Sequence, residues 1–101
     1  MKLSIKEIAG FCGVEAKLNG DIYKISTDSR DIDENTFFVA LIGERFDGND
    51  FVSDVLSKGA KAVVCSRYDG DDERVLLVKD TGEALLKIAK EYRKKFNIPF
   101  I

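Results

Sequence analysis

The stretch "STDSRDIDENTFFVALIGERFDGNDF", residues 26–51, decides how this chain folds. Its middle, residues 37–42, is apolar at every position, which is typical of a β-strand that is covered on both faces of a sheet. A polar turn stands on each side of this strand, "TDSRD" before it and "GERFDGND" after it, and each turn carries one arginine among several aspartates. The stretch therefore predicts a buried strand bracketed by two charged turns, and it raises the question of what those turns hold.

Composition limits the classes of function that the chain can have. With 101 residues it is long enough for one domain, and its net charge of −2 argues against binding nucleic acid, which needs a basic face. No stretch is long and apolar enough to predict membrane insertion. The absence of histidine excludes Cys/His zinc sites and Ser-His or Cys-His catalytic pairs, so we expect no metal site. Cys12 and Cys65 lie in apolar stretches and are expected to be reduced, buried thiols of a cytoplasmic protein.

Two stretches are predicted to be helices that begin with capping boxes. Ser4 and Glu7 form the box of "SIKEIAGFC", and Gly13 is the expected end of that helix. Asp80 and Glu83 form the box of "TGEALLKIAKEYRKKFN", the clearest helix in the chain. The residues expected on the buried faces are Ile5, Ile8, Ala9 and Cys12 in the first helix and Ala84, Leu85, Ile88, Ala89 and Tyr92 in the second.

A third, shorter helix is predicted in "NDFVSDVLSKG". Asn49 or Asp50 is its expected cap, and Gly59 is its expected end in a left-handed conformation. The residues at helical spacing for its buried face are Phe51, Val52, Val55 and Leu56. The acidic loop that comes later, residues 67–74, is predicted to be solvated and to hold no calcium.

Strands are predicted in "DIYKIST", "TFFVALI", "AVVCS" and "VLLVK", and "PFI" at residues 99–101 resembles the start of another. The alternation of strands with helices gives two strand–helix–strand units. We therefore predict an α/β fold, a three-layer domain with a small mixed, mainly parallel sheet flanked by helices. A chain that stops on the first residues of an apolar strand is expected to be a piece of a longer protein.

The loop after the buried strand has the spacing of a phosphate-binding loop but not its chemistry. Gly43 and Gly48 are in G-x-x-x-x-G spacing, yet Asn49 stands at the lysine position and Asp50 at the hydroxyl position. The other carboxylates of this loop would repel a triphosphate. We therefore expect no ATP here, and we expect the glycines to serve tight turns.

The remaining polar groups of the two turns are candidate ligand contacts, each with an ordinary structural alternative. Arg45 can pair with a phosphate or carboxylate, although arginines in loops are commonly solvated. Thr27 and Ser29 offer hydroxyls, but "TDSR" is also a common turn sequence, in which Arg30 would simply pair with a nearby aspartate. If the strands before the two turns are neighbours, both turns lie at one edge of the sheet, where ligands of α/β proteins bind. The two turns together are a better candidate than either alone.

These motifs resemble those of the Mur ligases, ATP-dependent enzymes that build the peptide of peptidoglycan. The family pattern comprises a D-S-R turn, a strand reading F-V-A-L, a G-x-x-x-D-G turn followed by D-F, and a later G-A-x-A-V. In this chain the matching residues are 28–30, 38–41, 43–48, 50–51 and 59–63. The chain departs from the pattern at residues 34–36, which read E-N-T where P-G-D is usual, and at Asn49, where His is usual.

The resemblance implies that residues 1–101 are a single N-terminal domain that binds the UDP end of a UDP-N-acetylmuramoyl-peptide. By matching position, the residues expected to contact the uracil, ribose and diphosphate are Thr27, Ser29, Glu44, Arg45, Phe46 and Asp47. Those expected to support them are Asp28, Arg30, Gly43, Gly48 and Asn49. The family's catalytic residues, ATP and Mg²⁺ would belong to central and C-terminal domains of the same ligase, so we expect no catalytic residue, cofactor or activity in this chain by itself.

Two branches of the family share this kind of domain. The motif "GERFDG" and the last helix are most similar to the branch that adds D-alanyl-D-alanine to the UDP-linked tripeptide. The alternatives are the branch that makes the tripeptide and, in a different class, a stand-alone ligand-binding module with the same fold.

Overall fold

Residues 3–96 are described by a computed structural model, with side chains as far as residue 94. The helices are α1 (Ile5–Cys12), α2 (Val52–Ser57) and α3 (Thr81–Phe96), and a short 3-10 helix, Gly48–Phe51, leads into α2. The strands are β1 (Leu3–Ser4), β2 (Asp21–Ile22), β3 (Lys24–Ser26), β4 (Thr36–Val39), β5 (Ala62–Cys65) and β6 (Val75–Leu77).

The main sheet has the order β3-β4-β5-β6, and all of its strands are parallel. Phe37 of β4 is paired with Ile25 on one side and with Ala62 on the other, so β4 is a central strand. Strands β1 and β2 form a separate antiparallel pair. The prediction of an α/β fold with a mainly parallel sheet is confirmed.

The sheet has a hydrophobic core on each face, which explains why residues 37–40 are all apolar. Phe37 and Val39 pack into the core beneath α1 and α3. Phe38 and Ala40 lie in the opposite core, beneath α2. All four side chains are at most 1% exposed, because consecutive residues of a strand face opposite sides of the sheet. The prediction of a strand covered on both faces is therefore confirmed for residues 37–40. It is wrong at the end of the predicted stretch, because β4 ends at Val39 and Ile42 is 62% exposed.

The predicted helix ends are largely confirmed. Ser4 and Glu7 form both hydrogen bonds of the capping box at the start of α1. Gly13 ends α1 with φ of 73°, and Gly59 follows α2 with φ of 91°, both in the left-handed region. At α3, the backbone N–H of Glu83 donates to Asp80 Oδ1 at 3.1 Å, as expected for a cap.

The prediction that Asn49 or Asp50 caps α2 is wrong. The 3-10 helix is capped by Asp47, whose carboxylate accepts from the backbone N–H of Asn49 at 2.9 Å, and α2 begins only at Val52. Phe51 is consequently outside the buried face of the helix and is 41% exposed. The other three residues of that predicted face, Val52, Val55 and Leu56, are buried.

The prediction of one strand in "DIYKIST" is also wrong. The segment divides at Tyr23 into β2, which pairs with β1, and β3, which joins the main sheet. The backbone N–H of Tyr23 donates to the carbonyl of Asn35 at 3.2 Å, outside either ladder. Two short runs that share one alternating pattern thus serve two sheets, which the pattern alone does not distinguish.

Of the two predicted strand–helix–strand units, the first is present as β4–α2–β5. The last strand of the second, residues 99–101, lies outside the described residues. Cys65 is buried as predicted, whereas Cys12 is only half-buried, and both are free thiols. None of the helices within residues 3–96 is long and apolar enough to cross a membrane.

Candidate functional site

The two polar turns lie at the same edge of the sheet. Strands β3 and β4 are parallel neighbours, so the turns that follow them emerge side by side. Between them is a groove of about 350 Å³. It is lined by Thr27, Asp28, Ser29, Arg30, Phe38, Phe46, Gly48 and Phe51. The structure therefore brings both predicted turns to one cavity.

The first turn is held by its own side chains. The hydroxyl of Ser26, which is 7% exposed, accepts from the backbone N–H of Asp28 at 3.0 Å and donates to its carbonyl at 3.1 Å. The Asp28 carboxylate accepts two hydrogen bonds from the guanidinium of Arg30 and one from its backbone N–H. These bonds lower the pKa of Asp28 to about 2. Lys58, at the end of α2, donates to the carbonyl of Ser29 at 2.8 Å and ties the turn to that helix.

The second turn is a tight reversal with an exposed tip. The N–H of Gly43 donates to the carbonyl of Phe46 at 2.9 Å, and the N–H of Gly48 donates to the carbonyl of Leu41 at 2.7 Å. A Cβ on Gly48 would stand 2.7 Å from that carbonyl oxygen, so only glycine allows this approach of the two backbone segments. Between the glycines, the exposed tip consists of Glu44, Arg45 and Phe46.

The base of the second turn is fixed by a network that sequence reasoning missed. Asn49 Nδ2 donates to Asp47 Oδ1 at 2.8 Å and to Ser66 Oγ at 3.0 Å. Asn49 Oδ1 accepts from the backbone N–H groups of Ser66 and Arg67 at 2.9 and 3.1 Å. The guanidinium of Arg67 lies 2.7 Å from Asp50 and 3.5 Å from Asp47. The contacts that reach Ser66 and Arg67 join residues 17 or more positions apart, so no local spacing in the sequence signals them.

Some of the charged and polar groups around the groove already have partners within the protein, and others do not. Arg30 is paired with Asp28, the structural alternative considered for the "TDSR" turn. Hydrogen bonds from Asn49 lower the pKa of Asp47, so this carboxylate is charged at neutral pH and serves as a cap. Within residues 3–94, Arg45 has no hydrogen-bond or ion-pair partner, and the same holds for the hydroxyls of Thr27 and Ser29. Unlike Arg30 and Asp47, these three groups are free to bind a ligand.

The groove can bind a ligand that has an anionic part and an apolar part. Thr27 and Ser29 line the groove with hydroxyls that suit phosphate or carboxylate oxygens, and the exposed rings of Phe46 and Phe51 offer an apolar surface. The predicted site residues Glu44, Arg45 and Asp47 do not line the groove, but the guanidinium of Arg45 is on the exposed tip next to Phe46. In the described part of the chain, no three His, Cys, Asp or Glu side chains are grouped so that they could hold a metal ion.

Two other cavities contain none of the sequence-predicted site residues. The larger, of about 580 Å³, lies between the end of α1, β6 and the start of α3. The smaller, of about 350 Å³, lies where β4 and β5 end beside the start of α3. Neither has the combination of free hydroxyls and aromatic rings found in the groove between the turns, so the groove is the better candidate site.

Comparison with known proteins finds one protein family and a group of ligases. The family model described as "Mur ligase family, catalytic domain" matches residues 21–93. The UDP-N-acetylmuramoyl-tripeptide–D-alanyl-D-alanine ligase of Haemophilus influenzae is 38% identical over 102 residues, covering 96% of this chain and 22% of that protein. The Synechocystis enzyme of the same name is 43% identical over 83 residues, covering 79% of this chain and 18% of that protein.

A second kind of ligase is also similar. The UDP-N-acetylmuramoyl-L-alanyl-D-glutamate–2,6-diaminopimelate ligase of Cytophaga hutchinsonii is 36% identical over 83 residues, covering 78% of this chain and 17% of that protein. The chain thus spans about a fifth of the length of the curated relatives that it matches.

Solved structures of the first kind of ligase have the same fold. MurF from Acinetobacter baumannii superposes with a TM-score of 0.81 at 26% identity, covering 94% of this chain and 22% of that chain. MurF ligase from Thermotoga maritima, solved in complex with ADP, gives a TM-score of 0.68 at 34% identity, with 72% and 17% covered. Sequence and structure comparisons therefore indicate the same group of proteins.

Proposed function

The chain belongs to the Mur ligase family, and from this membership we propose that the groove between the 27–30 and 43–48 turns binds the UDP end of a UDP-N-acetylmuramoyl-peptide. The proposed ligand has a flat base, a ribose and a diphosphate. The observation that carries the proposal is that two polar turns and the exposed rings of Phe46 and Phe51 line one groove. The rings match the base or the ribose, and the polar groups match the diphosphate.

Each proposed contact follows from which groups are free. Arg45, next to the groove-lining Phe46, supplies positive charge that no carboxylate of the described chain neutralises, and Thr27 and Ser29 supply hydroxyls for phosphate oxygens. Glu44 is equally exposed and unpaired, so we assign it to ribose hydroxyls or base N–H groups, away from the diphosphate. Asp47 is occupied as a cap, and we assign it to holding the turn.

In the longer protein, we propose, this domain delivers the substrate to a cytoplasmic ligase that adds D-alanyl-D-alanine to UDP-N-acetylmuramoyl-tripeptide. The proposal is supported by the names of the Haemophilus and Synechocystis relatives and by the MurF structures. ATP and Mg²⁺ would bind outside this chain, since residues 43–50 lack the lysine and the hydroxyl of a phosphate-binding loop. The partners of this domain are then its substrate and the other domains of the ligase.

A second candidate is the branch that attaches the third amino acid, because the Cytophaga diaminopimelate ligase matches the chain almost as well. The substrates of both candidates carry the same UDP end, so the groove does not distinguish them. A ligase assay of the longer protein does: D-alanyl-D-alanine consumed with the UDP-linked tripeptide supports the first candidate, and diaminopimelate or lysine consumed with the UDP-linked dipeptide supports the second.

An NMR titration with UDP tests the proposed groove. We expect the amide signals of residues 27–30 and 43–48 to move first, with a Kd of about 0.1 mM or weaker because the sugar and peptide contacts are missing. Arg45→Ala should weaken binding, whereas Arg93→Ala should not, because Arg93 is an exposed arginine on α3 that does not line the groove. Shifts confined to α3, or none at millimolar UDP, would overturn the proposal.

A further inference from the structure

The side-chain amide of Asn49 uses all of its hydrogen-bonding capacity inside the protein. Asn49 is only 8% exposed. Its Nδ2 donates to Asp47 Oδ1 and Ser66 Oγ, and its Oδ1 accepts from the backbone N–H groups of Ser66 and Arg67. An Asn amide has two donor hydrogens and two acceptor positions, and all four are filled here. This one side chain therefore joins the base of the 43–48 turn to the loop that follows β5.

We infer that Asn49 is a positioning residue, which fixes the 43–48 turn in its ligand-binding geometry by bonding it to residues 66–67. The inference rests on the proposed function of the groove. Simple capping does not require this arrangement, because Asp47 already caps the 3-10 helix by accepting from the backbone N–H of Asn49. Three of the four side-chain bonds of Asn49 instead reach Ser66 and Arg67, which do not line the groove.

The need for such a residue follows from how the turn is built. Its tip, with Arg45 at the centre, is closed by the Gly43–Phe46 bond, and its two arms meet at the Gly48–Leu41 bond. Neither bond connects the turn to the next strand of the sheet. Asn49 makes that connection through buried hydrogen bonds, beside the exposed ion pairs of Arg67 with Asp47 and Asp50. An ordered tip loses less conformational freedom when a ligand binds.

The inference predicts a coupling between ligand and loop. When UDP binds the 43–48 turn, the backbone amides of Ser66 and Arg67 should exchange their hydrogens more slowly, because the turn holds Asn49 and Asn49 holds those amides. Hydrogen exchange measured by NMR, with and without UDP, detects this effect. In Asn49→Ala the slowing should disappear, and the Kd for UDP should rise about tenfold, because UDP must then immobilise the loosened tip as it binds.

Two further variants separate positioning from general stability. Asn49→Asp keeps an oxygen for the N–H groups of Ser66 and Arg67 but loses both donors and places a carboxylate against Asp47. It should leave those two amides protected and still weaken UDP binding. Asn35→Ala, a change of the same type at an exposed position in the loop before β4, should alter neither property.

The outcomes are distinct. If UDP moves the signals of both turns but leaves exchange at residues 66–67 unchanged, the inference is overturned and the proposed groove stands. The same holds if the folded Asn49 variants bind UDP as tightly as the parent chain while melting at lower temperature, because Asn49 would then be structural only. If UDP causes no response at any residue, both the proposed function and this inference fail.

Discussion

The guanidinium of Arg30 folds back onto Asp28, with its Nε and Nη2 atoms each 3.0 Å from one of the two carboxylate oxygens. Because of this pairing, the two turns beside the groove provide different groups for a ligand. In the first turn, Arg30 is already paired with Asp28, so this turn provides the hydroxyls of Thr27 and Ser29. The second turn provides the unpaired guanidinium of Arg45. A ligand that needs both kinds of group has to touch both turns.

The Asp28–Arg30 pair predicts a shifted titration. Hydrogen bonds from Arg30 lower the pKa of Asp28 from 3.8 to about 2. Because the pKa is depressed in the folded chain, any stability that the pair contributes is complete above about pH 4 and is lost as the pH falls through 2. An NMR titration of the side-chain carboxyl carbon should show a midpoint near the lower value, and Arg30→Ala should move it back up. An unchanged midpoint in that variant would contradict the assigned cause.

Alanine substitutions at Gly48 and Gly43 should affect different properties, the first stability and the second UDP binding. A Cβ on Gly48 would press against backbone atoms of Ala40 and Leu41, so Gly48→Ala should cost about 1–3 kcal/mol of unfolding free energy. A Cβ on Gly43 would meet only the exposed ring of Phe46, which can swing aside. Gly43→Ala should therefore keep the melting temperature and weaken UDP binding by displacing that ring. Urea unfolding and UDP titration of both variants check this, and equal losses of stability would refute it.

Gly59 and Gly10 provide a pair of backbone tests that are free of steric contacts. Apart from the neighbouring backbone of the same segment, no heavy atom lies within 4 Å of a Cβ placed at either position. Gly59 has φ of 91°, so Gly59→Ala should lower the unfolding free energy by about 1 kcal/mol. Gly10 lies inside α1, so Gly10→Ala should raise it by about 0.5–1 kcal/mol. Calorimetry of the two variants should show melting temperatures that move in opposite directions.

Neighbouring aspartates in the loop before β6 should differ in their effect on stability. The Asp72 carboxylate accepts from Nε and Nη2 of Arg74 at 3.0 and 2.6 Å, which orients Nη1 towards the carbonyls of Leu56 and Ala60 at the end of α2. Asp72→Ala should destabilise the chain by about 1 kcal/mol, because this support for the helix end is lost. Asp71→Ala should have no measurable effect in the same denaturation assay, since Asp71 is exposed and unpaired among the described residues.

The features that could be predicted from the sequence are those determined by nearby residues. The capping box of Ser4 and Glu7 involves a spacing of three, and the burial of β4 follows from its own unbroken apolar run. From the sequence, the two turns are expected at one edge of the sheet only if the strands before them are neighbours. The pairing of β3 with β4 shows that they are. The D-S-R and G-x-x-x-D-G motifs of the family lie at the edge of the sheet where the groove is found.

The features that could not be predicted depend on tertiary contacts. Arg67 is in a loop to which the sequence assigns no role, but it contacts Asp47 and Asp50 at the base of the second turn. The sequence indicates Asn49 or Asp50 as the cap of a helix, whereas the side-chain amide of Asn49 forms hydrogen bonds with Ser66 and Arg67. Such bonds are decided by how β5 lies beside β4, and this geometry has no periodic signature in the chain.

The order of the main sheet, β3-β4-β5-β6, is also the order in which its strands occur in the chain. During translation, each strand would therefore leave the ribosome when the edge that it pairs with has already been made. Among the strands that the structure describes, none has to be inserted later between two others. This keeps the sequence separation of the strand contacts small and favours rapid folding. The sheet can thus grow in one direction, from β3 to β6, at the pace of synthesis.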